Sequence, residues 1–221
     1  METIESHGLR DQEALWSAFL AMADAVVLAV RQGVEALCEG RIELVSAVGD
    51  AEERSDRDEH QIEGECLRIL ALYEPVASDL RRLATILKVS RDCERIADRA
   101  DRIARRARKI ARNWGPIELP VGLAPMAREA LAMVEEARVL LDAHNPRRAR
   151  ALIAADQAID LRYREVRRAL KARIVEEADH LEVWLQYLGA ARNLERIADH
   201  AAEIARMIVF LDEGVFPGVR G

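Results

Sequence analysis

The sequence predicts an all-α protein, in which six long helices form two pseudo-repeated, antiparallel three-helix bundles. Of the 221 residues, 50% are apolar and 33% are charged but only 4% are aromatic, a composition typical of long packed helices. Apolar residues recur at three- and four-residue steps, without the alternation that indicates strands. The pentapeptide at 94–98, Glu-Arg-Ile-Ala-Asp, returns unchanged at 195–199, which indicates an internal duplication.

Helical periodicity predicts three helices in the first half of the chain. The first is expected at about 9–39, with Gly40 as its stop signal. The second is expected at about 41–73 and includes an unusually acidic middle section. The third is expected at about 75–112, because proline is tolerated at the first position of a helix and disfavours helix for the residue before it.

Three more helices are expected after a segment rich in proline and glycine. They cover about 123–143, 147–178 and 181–211, and His144-Asn145-Pro146 ends the first of them. Each half of the chain therefore reads as three antiparallel helices.

The same signals divide the chain into domains. Residues 1–112 form the first repeat, 113–122 a linker, and 123–212 the second repeat. The tail at 213–221 contains glycine and proline and is expected to fray.

Composition excludes several classes of protein. A formal net charge of -6 and a pI near 5.5 give no overall attraction to nucleic acid. The cysteines, at positions 38, 66 and 93, have neither zinc-ligand spacing nor the spacing of a secreted disulfide framework. The acidic N-terminus lacks a signal-peptide pattern, and the most apolar run, 19–30, is too short to span a bilayer. We therefore expect a soluble intracellular protein.

The repeated pentapeptides carry the candidate site. On a helical wheel, Glu94, Asp98 and Asp101 fall together opposite the apolar stripe, in which Cys93 is a small buried hydrophobe. Glu195 and Asp199 also project away from their stripe. Carboxylates four residues apart on a helix repel each other by a few tenths of a kcal/mol, roughly, unless a cation lies between them.

Neighbouring helices add further carboxylates. The second helix contributes Glu52, Asp56, Glu59 and Glu63, and the fifth contributes Asp156 and Asp160. If these helices are neighbours, each half gathers four or more carboxylates in one place, as a hard or borderline cation requires. Ordinary ion pairs with nearby arginines explain the same acids without a metal, and this alternative stays open. The arginines are Arg91, Arg95, Arg102, Arg192 and Arg196.

The pattern resembles the PhoU family of phosphate-signalling regulators. That family has two repeats of a three-helix bundle, each with a signature close to ERIGD in its last helix. The pentapeptides at 94–98 and 195–199 match this signature, and the segment 75–81 matches the family's P-x-A-x-D-L-R motif. The resemblance covers most of the chain. In departure from the pattern, Ala97 and Ala198 replace the usual glycine.

The resemblance implies surface sites that hold iron or zinc. The metal roles carry over to Glu94, Asp98, Glu195 and Asp199, and less directly to Glu59, Glu63, Asp156 and Asp160. Asp101 has Ala202 as its counterpart, so the two sites are expected to differ in affinity. Three histidines are further candidates, although exposed helix histidines are common: His60, His180 and His200.

The resemblance also implies function and partners. We expect a non-enzymatic negative regulator that binds a phosphate ABC transporter ATPase and a sensor histidine kinase and meets the membrane only through them. A homodimer is compatible with this interpretation. The arginine-rich segments 102–112 and 162–173 fit either solvated helix ends or docking sites for an acidic partner.

Two other functions remain open on sequence alone. A di-metal carboxylate oxidase on a helical bundle needs Glu-x-x-His motifs that face the bundle interior, and neither pentapeptide contains one. No glycine-rich phosphate loop or nucleophile elbow appears either. A purely structural helical scaffold is the other alternative.

Overall fold

The structure is a computed structural model that describes residues 4–115, 117–215 and 217. The predicted all-α class is confirmed, and the described residues contain no strand. The six helices are α1 (Ile4–Glu39), α2 (Val45–Tyr73), α3 (Ser78–Trp114), α4 (Leu123–Ala143), α5 (Pro146–Glu176) and α6 (Leu181–Glu213). Short 3-10 turns, Ile42–Leu44 and Ala178–His180, precede α2 and α6.

The predicted start of the third helix at Pro75 is wrong. Glu74 and Ala77 have positive φ angles of 45° and 48°, so the backbone between them makes a bend and α3 begins only at Ser78. Left-handed φ is uncommon outside glycine and interrupts a right-handed helix. The segment 75–81 therefore straddles a bend and a helix start.

The fifth helix starts one residue earlier and stops earlier than the sequence predicts. Pro146 is its first residue, and the Asn145 side chain caps it by accepting a hydrogen bond from the backbone N–H of Arg148 at 3.0 Å. Both are favourable features at a helix start. The 3-10 turn Ala178–His180 takes the place of its predicted last turn.

The other helix ends differ by a few residues. α1 begins at Ile4 instead of Leu9, and α2 begins at Val45 because the 3-10 turn occupies the preceding residues. α6 continues to Glu213, where Gly214 adopts φ 74° and its N–H bonds the carbonyl of Phe210 at 2.9 Å. The predicted frayed tail thus begins inside α6, and its residues 216 and 218–221 lie outside the described residues.

The two bundles share one hydrophobic core. Among all pairs of helices, α3 and α6 make the most extensive contact, and α1 also packs on α4. The buried apolar side chains form one continuous cluster that includes Phe19 of α1, Ile96 and Ile103 of α3, and Leu140 of α4. Cys93 is buried as predicted, and burial raises the pKa of its thiol to about 12. The central position of α3 and α6 is what places the two pentapeptides side by side in the molecule.

One stretch of α1 is more apolar than the sequence interpretation allowed. Within His7–Glu39, an 18-residue window has a mean hydropathy of 1.7, enough by length and composition to cross a membrane. Core helices of soluble proteins meet the same criterion. The side chains of Phe19, Met22 and Val26 are each at most 2% exposed because they pack into the shared core.

Candidate functional site

The acidic side chains gather into two clusters, one in each half. We define the first cluster as the acids that influence one another where α2 meets α3: Glu52, Asp56, Glu59, Glu94, Asp98 and Asp101. We define the second cluster in the same way where α5 meets α6: Asp156, Asp160, Glu195, Asp199 and Glu203. Each pentapeptide therefore joins acids from the preceding helix, as the sequence predicts.

The carboxylates of the first cluster are less exposed than the helical wheel indicates. The side chains of Glu94 and Asp98 are only 18% and 16% exposed. α3 contacts α1, α2 and α6, so more than one stripe of its surface is covered. The prediction that these acids project freely outward is therefore wrong, and they lie in a crevice between helices.

Asp101 departs furthest from the predicted outward position. It is 4% exposed, beneath α2, and its Oδ1 lies 3.6 Å from where a Cβ at Gly49 would be. That distance is an ordinary van der Waals contact, so the carboxylate lies directly against the backbone of α2. Asp101 is compensated by Arg105, one turn later on α3, whose Nε lies 2.6 Å from Oδ2. A buried carboxylate needs such a partner because isolated burial of a charge is costly.

The first cluster is largely neutralised by arginines. Asp98 forms ion pairs with Arg102 at 2.8 Å and with Arg99 at 3.5 Å. Glu94 pairs with its neighbour Arg95 at 3.2 Å. The alternative of ordinary ion pairs therefore describes the α3 side of this cluster.

The second cluster is compensated less directly, because Arg192, Arg196 and Arg206 act on its acids from a distance. Within the described ranges, no basic side chain lies at ion-pair distance from Asp156, Asp160, Glu195 or Asp199. Asp156 has a buried oxygen, Oδ1, without a hydrogen-bond partner. Arg206 instead pairs with Glu203, at the edge of the cluster. An acceptor-only oxygen buried in this way is under-satisfied unless a cation or donor reaches it.

Burial and mutual repulsion raise the pKa values of three acids in the second cluster: Asp156, Glu195 and Asp199. For Asp156, burial is the main cause of the raised pKa, followed by the charges of Asp199 and Asp160. Burial and the same pair of aspartates raise the pKa of Glu195. Asp199 is exposed, but crowding by surrounding atoms and the charge of Asp160 raise its pKa as well. The charged form of this cluster is therefore disfavoured, and a bound cation would favour it.

In the first cluster, raised pKa values occur at two acids, Glu94 and Glu52. Burial raises the pKa of Glu94, against the effect of Arg95, with contributions from Asp98, Asp56 and Glu59. Burial and the charges of Asp101 and Asp98 raise the pKa of Glu52.

The side chains as they stand do not converge on one point. In the part of the chain that is described, no three His, Cys, Asp or Glu side chains are placed so that they could hold one metal ion. Glu63, which the sequence assigns to the site, is exposed, and it is not among the acids that act on Glu94. The clusters are thus carboxylate-rich crevices whose side chains would have to rotate to bind a cation.

The three candidate histidines lie at different places. His200 Nδ1 lies 2.9 Å from Asp92 Oδ1, a hydrogen bond that joins α6 to α3. His60 is exposed, and its pKa is raised by a hydrogen bond to the backbone carbonyl of Asp56 and by the charges of Asp56 and Glu59. His180 is exposed in the 3-10 turn before α6.

Sequence reasoning named Arg102 but missed Glu203, which continues the acidic row of α6. One turn beyond Asp199, α6 carries Glu203, which adds negative charge near Asp156. At the matching position of α3, one turn beyond Asp98, stands Arg102. The sequence alone contains this contrast: an alignment of the two repeats, extended one turn past the pentapeptides, pairs a basic residue with an acidic one.

Comparisons with known proteins match both halves. The PhoU domain profile matches residues 19–107 and 123–208. The chain is 32% identical over 202 residues to the phosphate-specific transport system accessory protein PhoU homolog of Pseudomonas aeruginosa, covering 91% of this chain and 84% of that protein. It is 30% identical over 198 residues to the homolog of the same name in Deinococcus radiodurans, covering 90% and 92%.

Solved structures show the same fold. The crystal structure of PhoU from Pseudomonas aeruginosa superposes with a TM-score of 0.88 at 32% identity, covering 93% of this chain and 99% of that chain. The phosphate transport system regulatory protein PhoU from Streptococcus pneumoniae gives a TM-score of 0.86 at 24% identity, covering 96% and 100%.

Proposed function

The chain belongs to the PhoU family, and we propose that it is a non-enzymatic negative regulator of phosphate uptake and of phosphate-responsive two-component signalling. The observation that carries this proposal is the match of both halves to the PhoU domain, with relatives named as accessory proteins of the phosphate-specific transport system. An accessory role in phosphate transport follows from the relatives. The negative sign of the regulation and the signalling branch are our proposal.

The proposed partners are a phosphate ABC transporter ATPase and a sensor histidine kinase. The geometry suits contact with proteins, because six helices of 21 to 37 residues offer long, rigid faces of mixed charge. Such faces provide the extended complementary surface that specific protein interfaces need. We place the protein in the cytoplasm, where both partners present domains to it, and we propose that it acts as a homodimer.

We propose iron or zinc as the metal, with the two acidic clusters as its sites. The donor set of the second cluster fits a cation, because four of its five acids have no basic side chain at ion-pair distance among the described residues and Asp156 Oδ1 is buried without a hydrogen bond. Glu195, Asp199, Asp156 and Asp160 would hold the ion there. In the first cluster, Glu94, Asp98 and Glu59 would do so, and Glu94 and Asp98 would first have to leave their arginine partners. A bound cation would neutralise either crevice and fix α2 on α3 or α5 on α6.

Deletion of the gene tests the regulatory role. We expect phosphate-starvation genes to become active even when phosphate is plentiful, and we expect tagged protein to co-purify with the transporter ATPase or the sensor kinase. Repression that persists after deletion, together with pull-downs that contain neither partner, would refute the proposal. That result would favour the structural scaffold instead.

The di-metal oxidase finds no support in this geometry. The acidic clusters lie in surface crevices beside α3 and α6, whereas that chemistry needs its carboxylates inside the bundle. The interior at the same level is filled by Ile96, Ile103 and Ile197, each at most 1% exposed.

A further inference from the structure

We propose that the C-terminal half of α5 binds directly to the surface of an anionic lipid bilayer. The contact would be made by four basic residues that we call the basic strip: Arg164, Arg167, Arg168 and Lys171. This adds a direct membrane contact to the contact through partners that the sequence predicts. It does not depend on the proposed regulatory role.

The basic strip is one continuous patch. Its members stand at positions i, i+3, i+4 and i+7, so they lie on one face of the helix. All four are exposed, and together they line a shallow surface hollow of about 400 Å³ to which no acidic residue contributes. The side chains are therefore presented together on the same side of the molecule.

The strip is uncompensated, in contrast to its neighbours on the same helix. Arg162 pairs with Glu129 at 2.7 Å, and Arg173 pairs with Glu177. No acidic side chain of the described ranges lies at ion-pair distance from the strip. Like charges three and four residues apart repel within a helix. The strip therefore concentrates positive charge in a chain whose net charge is -6.

Exposed apolar side chains flank the strip. Leu161, 58% exposed, lies one turn before it, and Val175, 82% exposed, lies one turn after it. At 100° per residue, Val175 falls within the arc that the strip occupies and Leu161 falls about 20° beyond its edge, whereas the buried Val166 and Leu170 face the other way. Basic residues interspersed with exposed apolar ones on one helix face are typical of helices that lie in a membrane interface.

The shape of this surface favours a bilayer over a small anion. From Leu161 to Val175, a straight helix extends about 21 Å, and a flat bilayer can meet the whole of that length at once. A free phosphate ion would reach one or two of the cations and would leave the apolar residues in water. Lipid headgroups supply the negative charge, and the acyl boundary accepts the apolar side chains.

Sedimentation with vesicles tests the proposal on the full chain. We expect binding to vesicles of phosphatidylcholine mixed with phosphatidylglycerol, weakening with added salt, and far weaker binding to phosphatidylcholine alone. Each basic residue removed should weaken binding about fivefold, so the Arg164→Gln/Arg167→Gln/Arg168→Gln/Lys171→Gln variant should lose it. The Leu161→Gln/Val175→Gln variant should bind more weakly and keep its salt dependence.

The matched control removes the same charge from exposed arginines elsewhere: Arg57→Gln, Arg91→Gln, Arg112→Gln and Arg147→Gln. This control should bind vesicles like the unmodified protein. Equal binding by the strip variant and the control would overturn the proposal, as would equal binding to neutral vesicles. Displacement by inorganic phosphate that exceeds displacement by sulfate at equal ionic strength would also overturn it, in favour of a free-anion site. The proposal would also be overturned if the strip variant still bound vesicles but no longer bound an acidic protein partner.

Both quadruple variants should unfold at the temperature of the unmodified protein. All substituted side chains are exposed, and substitutions at such positions usually leave stability almost unchanged. The vesicle result then reports on binding alone.

Discussion

The two acidic clusters share a pentapeptide and differ in what surrounds it. One turn beyond the aspartate of the motif, α3 carries Arg102 and α6 carries Glu203. Arg102 pairs with Asp98 at 2.8 Å, whereas Glu203 adds a further negative charge beside Asp156. The α3 acids of the first cluster are thus paired directly with arginines, whereas in the second cluster only Glu203 has an arginine at ion-pair distance. Identical motifs therefore need not have identical affinity for a cation.

The sharpest test of this difference is metal uptake by paired double variants. We expect Glu195→Ala/Asp199→Ala to weaken uptake of iron, zinc or manganese on the order of a hundredfold at the second cluster, since losing a direct ligand costs at least as much as losing a residue that supports one. Glu94→Ala/Asp98→Ala should have a smaller effect, because those acids already have arginine partners.

Elemental analysis and anomalous diffraction after soaking are the measurements. The matched control is Glu165→Ala/Glu176→Ala, which removes two carboxylates of α5 that belong to neither cluster. Equal uptake by the unmodified protein and Glu195→Ala/Asp199→Ala would show that the second cluster binds no metal.

Exchanging the charges at positions 102 and 203 should make the metal affinity of each cluster more like that of the other. Glu203→Arg would place a cation one turn from Asp199 and should weaken metal binding at the second cluster about tenfold, an effect on the order of 1.4 kcal/mol. Arg102→Glu should strengthen binding at the first cluster, because Asp98 loses its closest partner. Titration calorimetry of each single variant measures both changes. If both variants bind like the unmodified protein, the difference between the clusters has another cause.

Without metal, acidity should change the stability of the second cluster in a defined direction. Asp156, Glu195 and Asp199 have raised pKa values in the folded protein, so the protonated forms favour folding. That stability is fully present when the pH is below the ordinary pKa values, 3.8 for Asp and 4.5 for Glu. It is lost as the pH rises through the raised pKa values of the folded protein.

Glu195→Gln/Asp199→Asn should therefore be more stable than the unmodified protein at pH 7 by about 1 kcal/mol, the sum of a few like-charge repulsions. This corresponds to roughly 2–4 °C in melting temperature for a chain of this size. Thermal unfolding in chelator across pH measures the gap, which should close toward pH 4. A gap that widens on acidification would contradict the raised pKa values.

The smallest effect is expected at the contact between His200 and Asp92, which joins the halves. Asp92→Ala removes the partner of His200, in a contact only about one fifth exposed on either side. We expect a loss of roughly 0.5 kcal/mol, within the range of partly exposed pairs. Glu135→Gln, which removes the partner of the more exposed Arg31, should cost less. Denaturant unfolding of both variants compares them, and an equal loss would mean that burial does not strengthen the His200 contact.

The sequence predicts the helices well because each helix packs an apolar stripe into the core around α3 and α6. That packing requires apolar residues at regular helical spacing. The sequence misplaces the start of α3 because the positive φ values at Glu74 and Ala77 depend on how the bend packs, not on the proline. These two residues carry no local signal such as glycine.

The candidate acids were found from sequence, but their surroundings were not. A helical wheel identifies one buried stripe, and α3 is covered on more than one side, so Asp101 is buried where the wheel places it outside. The unpaired Asp156 Oδ1 depends on how α5 sits against α6, which no spacing reveals. The contrast between Arg102 and Glu203 was readable, but only by extending the repeat alignment.

The shared core of α3 and α6 bears on how such a chain could arise by gene duplication. A single repeat, cut at the linker, would expose the apolar side of its third helix, which in the whole chain is covered by its counterpart. Two identical single repeats could cover that surface for each other, because the two helices carry the same pentapeptide. The ancestor of this molecule is then best pictured as a symmetric pair of short chains. Fusing them freed each copy to change its charges separately, as the residues at 102 and 203 have done.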